Sequence, residues 1–151
     1  MEATFKIWQI NRQLYLNFFD NYTLEQLNTI PNGMSNNLIW NMGHALVSQQ
    51  KLVYTLSGLP MHISDALFEK YQNGSRPDGN TTKGEVDEIK KLLGELVEKT
   101  KADLAAGILS KFQPYQTKSG FYLDSLNEAM AFNNYHEGIH LGTMLQIKKF
   151  L

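Results

Sequence analysis

The sequence predicts an all-α protein, a four-helix bundle with long crossover loops, on three observations. Four segments carry apolar residues at the three- and four-residue spacing of a buried helix face. Three capping boxes stand where the chain enters or approaches such segments: Thr23/Gln26, Thr82/Glu85 and Ser125/Glu128. Strand signals are weak, with no Asn-Gly turn between alternating apolar runs, so no sheet is expected. At 151 residues the chain is one domain, 1–151, long enough to bury about 70% of its unfolded surface.

The first helix is expected from about Thr4 to Asp20. Ile7, Ile10, Leu14 and Phe18 follow helical spacing, with Trp8 and Phe19 beside them. A linker with the Thr23 box leads to a break at Pro31-Asn32-Gly33. The second helix runs from about Asn36 to Leu56. Its seam is Leu38, Met42, Ala45, Gln49, Leu52 and Leu56, stepping by alternate fours and threes. Gly58 and Pro60 stop it. In the long connection 59–83, Ser64 to Tyr71 can form a short helix, and Asn73-Gly74 and Pro77-Asp78-Gly79-Asn80 are turns. The third helix starts at Thr82 and turns Val86, Ile89, Leu93 and Leu96 inward. Asp87/Lys91 and Glu95/Lys99 are spaced as outer ion pairs. After a loop with Pro114 and Gly120, the fourth helix starts near Asp124 or Ser125 and runs almost to Leu151.

Composition narrows the function. The chain is 42% hydrophobic and 19% charged, which excludes a disordered chain. Net charge is −1 and no basic block occurs, so nucleic acid is not an expected partner. No window of 18 uninterrupted apolar residues could span a membrane. The absence of cysteine excludes a disulfide scaffold, a thiolate metal site and a cysteine nucleophile. With no signal-peptide pattern at the N-terminus, these features lead us to expect a soluble cytoplasmic protein. A homodimer is left open.

The four histidines carry the chemistry. On the fourth helix Leu126, Ala129, Asn133, His136, His140, Thr143 and Ile147 form a seam, so His136 and His140 stand one turn apart on the expected inward face. Two neutral imidazoles so placed can bind one metal ion. The alternative is a pair of core histidines hydrogen-bonded to neighbours. On the second helix His44 belongs to a polar stripe of Asn37, Asn41, His44 and Ser48. That helix has one charged residue, Lys51, so the stripe fits the wall of a wet pocket and His44 a third ligand, unless the stripe faces water. His62, after Pro60, reads as a loop histidine. His136-Glu137-Gly138-Ile139-His140 also matches the H-E-x-x-H pattern of zinc proteases, but only 11 residues follow His140, too few for a later ligand-bearing helix. Glu137 is then a weak candidate for general base, since it lies about 100° around the helix from His136. Asn41 and Asn133 would either line a substrate pocket or serve as hydrogen-bond partners behind the ligands. Tyr71, Tyr115 and Tyr122, on the long loops, could reach a substrate.

Trp40-Asn41-Met42-Gly43-His44 followed by Ser48-Gln49-Gln50, together with His136-Glu137-Gly138-Ile139-His140-Leu141-Gly142, resembles the DinB-like family. The resemblance covers nearly the whole chain. It implies a four-helix bundle whose divalent metal is held by His44, His136 and His140. Some members of that family are S-transferases or isomerases acting with low-molecular-weight thiols, and others are described as metal-dependent hydrolases. The resemblance does not settle the reaction; our leading expectation is a metal-dependent enzyme with a small-molecule substrate, of the thiol-dependent S-transferase type. A hydrolase, or a non-catalytic bundle binding metal or a small ligand, is the alternative. Three neutral imidazoles leave the ion its full charge and open positions, as catalytic sites do. Zinc, nickel, manganese and iron all suit imidazole.

Overall fold

The computed structural model describes residues 1–151. Four long helices make the bundle: α1 (Glu2–Asn21), α3 (Leu38–Val53), α5 (Lys83–Ala105) and α6 (Leu126–Ile147). Two short helices, α2 (Leu24–Asn28) and α4 (Asp65–Tyr71), lie in the connections. α1 packs on α5 and α6, and α3 also packs on both, so α1 and α3 are diagonal across the bundle. The α3–α6 contact is the most extensive of these.

Local chemistry sets most boundaries. The Thr23 and Thr82 boxes both form reciprocally. Ser125 accepts from the Glu128 amide, but the Glu128 carboxylate reaches back to Asp124 instead of Ser125. Asn37 caps α3 by accepting from Trp40 at 2.8 Å, so the helix begins at Leu38, and Asn37 leaves the proposed pocket stripe. Ser64 caps α4 where the short helix was expected. A 3₁₀ turn, Thr55–Ser57, ends α3, and Gly58 at φ 73° redirects the chain.

Three expectations need correction. First, a two-stranded antiparallel ribbon exists: β1 (Tyr115–Gln116) pairs with β2 (Tyr122–Leu123). Thr117 closes its turn by accepting from the Phe121 amide through Oγ1 at 2.9 Å, and Gly120 supplies φ 93°. Second, the inner face of α1 is Phe5, Trp8, Arg12, Tyr15 and Phe18, whereas Ile7, Ile10 and Leu14 are exposed. Trp8 and Tyr15 bury more surface than the isoleucines would, and Arg12 has a partner inside the bundle. Third, the outer pairs of α5 are offset from the expected ones. Lys83 pairs with Asp87, Lys99 with Asp103 at 2.5 Å, and Lys70 of α4 with Glu85 at 2.6 Å.

The main core joins all four helices through Tyr15, Phe18, Met42, Leu46, Ile89, Leu93, Met144 and Ile147. A second cluster around Trp8, Val53, Tyr54, Val97 and Met130 fills another part of the interior. α3 is buried nearly all round, as its apolar composition requires.

Candidate metal centre

The α3–α6 contact brings His44 against His136 and His140. Ring centroids are 5.1 Å apart for His44–His136, 4.9 Å for His44–His140 and 4.5 Å for His136–His140. One ligating atom from each lies within 4.8 Å of the others. Ligands of one tetrahedral ion at 2.0–2.1 Å stand about 3.3 Å apart. The His136 and His140 Nε2 atoms, at 3.2 Å, already have that spacing. The other pairs of candidate ligand atoms lie within 4.8 Å of each other.

Neighbours fix which nitrogen is free. His44 Nδ1 lies 2.7 Å from the Tyr71 carbonyl, which only accepts, so Nδ1 carries the proton and Nε2 a lone pair. His140 Nδ1 donates to Asn41 Oδ1 at 2.8 Å, while the Asn41 amide nitrogen is committed to the Asn37 carbonyl at 2.7 Å. His140 Nε2 is therefore also bare. Trp40 stacks on the His44 ring, centroids 4.7 Å apart and nearly parallel, and its indole donates to Ser75 at 3.0 Å. Burial, reinforced by the charge His136 and His44 would carry, pushes the His140 pKa down to about 3. Burial, then His44, lowers His136 to about 4. Burial lowers His44 too, against the Tyr71 carbonyl. All three are neutral at neutral pH. His136 Nδ1 has no partner, so three neutral imidazoles, two of them with Nε2 left bare by their neighbours, form a donor set that fits a divalent ion.

A cavity of about 310 Å³ opens in front of His44 and His136. Ser48, Lys51, Tyr115, Lys118 and Phe132 are among its walls. Asn41 and Asn133 do not line it. Asn41 orients His140, and Asn133 is fully buried, donating to Glu137 at 2.9 Å. Glu137 is not placed as a general base. Its carboxylate is fully buried and ion-paired to Arg12 at 2.7 Å. Burial pushes its pKa up, opposed by the Arg12 guanidinium and Asn133. Of the loop tyrosines, Tyr115 lines the cavity, Tyr71 is buried with its hydroxyl on Thr81, and Tyr122 faces solvent. His62 stays in its loop, edge-on to Tyr54 and 3.6 Å from Asp103.

Sequence reasoning missed the Tyr71 carbonyl, which has no side-chain signature, and Arg12, which a polar residue amid the α1 aromatics could have signalled. Fold and site together define a helical bundle whose three-histidine cluster could hold a metal ion. The chain belongs to the DinB superfamily, whose sequence pattern matches residues 7–144. No curated protein matches it.

Proposed function

We propose that the protein is a divalent-metal-dependent enzyme of the thiol-dependent S-transferase type. The observation that carries the reading is a three-imidazole cluster beside a cavity without a single Asp or Glu in its lining. When bound, a divalent ion supplies a Lewis acid that lowers the pKa of a coordinated thiol or water. His44, His136 and His140 hold it, with Tyr71 and Asn41 fixing the tautomers of His44 and His140. Phe132, Val47 and Leu52 give the cavity, lined mostly by polar residues, an apolar stretch of wall. Hydrolysis is the second reading: coordinated water would also come toward a neutral pKa, but no carboxylate lines the cavity to assist it as a base, and Glu137 is sealed inside the bundle. A thiol, acidic by several units relative to water, needs no such base.

The test is a turnover screen of protein loaded in turn with zinc, nickel, manganese and iron(II). Thiol plus alkylating electrophile is compared with activated esters, with His140→Ala as the blank. Thiol consumption that requires both metal and His140 supports the reading. Ester hydrolysis alone favours the hydrolase, and stoichiometric binding without any turnover favours a binding bundle.

A further inference from the structure

The cavity in front of His44 and His136 has charge of one sign. Lys51 and Lys118 line it, and no acidic residue does. They come from separate elements, Lys51 from α3 and Lys118 from the turn between β1 and β2. Lys51 is the one charged residue of α3 and is half-buried. Standing seven residues after His44, it shares that helix face about 10 Å further along the axis. Its ammonium rests 5.2 Å from the centroid of the Tyr115 ring, which holds it at the cavity wall. No carboxylate lies within 4.0 Å of either lysine, as for several other lysines of the chain, but these two face a cavity. Lys51 stands in the last turn of α3, where a cation suits the helix dipole, and it has no charged side-chain partner there. It is well placed to meet a charge that arrives with a ligand.

We infer that the cavity selects small carboxylate-bearing substrates, with the carboxylate between Lys51 and Lys118 and the reactive end at His44 and His136. The inference rests on the metal-dependent reading of the site above. About 310 Å³ is at the small end of ligand pockets, which limits the substrate to metabolite size.

Two probes isolate the charge: 6-mercaptohexanoate and 6-mercaptohexan-1-ol, alike except at the far end. Each is titrated into cobalt(II)-loaded protein and followed by the sulfur-to-cobalt absorption band. The carboxylate should bind about tenfold tighter at low salt, the gain expected of two ion pairs, one at half-buried Lys51 and one at exposed Lys118. That preference should shrink in 0.5 M salt and vanish in Lys51→Gln/Lys118→Gln, whose cobalt spectrum before thiol addition should match the wild type's. Equal affinities in the wild type, or a preference that survives the double substitution, overturn the anion inference and leave the metal reading intact. If cobalt does not bind at the histidines, the metal reading fails instead, and if cobalt binds but takes no thiol, the thiol reading does. Calorimetric titration of the same pair into metal-free protein then decides the inference. A lysine-dependent preference for the carboxylate upholds it, and equal or absent binding overturns it.

Discussion

Gly43 stands just before His44 in the middle of α3, where alanine would favour the helix by about 1 kcal/mol. A Cβ there would lie 2.5 Å from Tyr71 Cδ1, so the glycine keeps the Tyr71 ring flat against the helix and its carbonyl on His44 Nδ1. Gly43→Ala should therefore weaken zinc binding about 10- to 100-fold, the range seen when a ligand's supporting hydrogen bond is lost. Competition with a chromophoric chelator measures it, and an unchanged affinity would detach Tyr71 from the site. The same histidines set a pH dependence. Their folded pKa values lie below the ordinary 6.5, about 4 for His136 and about 3 for His140, so between those values and 6.5 the unfolded chain binds more protons. Stability of the metal-free protein is thus complete above pH 6.5 and falls as pH drops toward 4. The urea midpoint should be lower at pH 5 than at pH 7, and less so in His136→Ala/His140→Ala. At this scale the sequence was informative where function uses side chains at regular spacing, as with the His136/His140 pair. It was silent where a backbone carbonyl does the work, and Glu137 misled because its neighbours on other helices, not its own, decide its surroundings.

For α1 two apolar stripes competed, and the periodicity of Ile7, Ile10 and Leu14 pointed to the one that faces solvent. The winning face carries Arg12, whose partner Glu137 lies on α6 and is invisible to any local pattern. Tyr15 adds a bond from its hydroxyl to the Glu137 carbonyl at 2.6 Å. Removing one member of this buried pair leaves the other charge stranded, so Arg12→Leu or Glu137→Leu should each cost about 3–5 kcal/mol. The double Arg12→Leu/Glu137→Leu variant should lose much less than the sum. Urea unfolding of the three variants checks this, and additive losses would contradict the pairing. The face assignment has its own check. Ile10→Ala should change stability by about 0.5 kcal/mol or less, and Leu93→Ala, in the core, should cost about 2–5 kcal/mol. The starts of α4 and α5 are readable because an N-cap needs only residues close in sequence, and Ser64 and Thr82 stand there; the Thr23 box also forms, but it opens the short helix α2 where only a linker is expected.

Across the whole molecule, the apolar core closes without the histidines. Met42, Leu46, Leu93 and Met144 join three helices into one cluster, so the fold stands on packing and the site is mounted between α3 and α6. Chelation should leave the far-UV spectrum helical and lower the melting temperature only by the linkage of metal to the folded state. Helix number and order were legible from periodicity and caps. The ring order of the helices, and the cavity formed by α3, α6 and the β1–β2 ribbon, arise from contacts between distant segments that no local signal specifies. The most direct test of the central claim is X-ray absorption spectroscopy of protein loaded with one equivalent of zinc. Three imidazole nitrogens at 2.0–2.1 Å, reduced in number or lost with His140→Ala, are the predicted result. Binding weaker than that of the free ion's buffer complexes, or a coordination shell with fewer than three imidazoles, would contradict it.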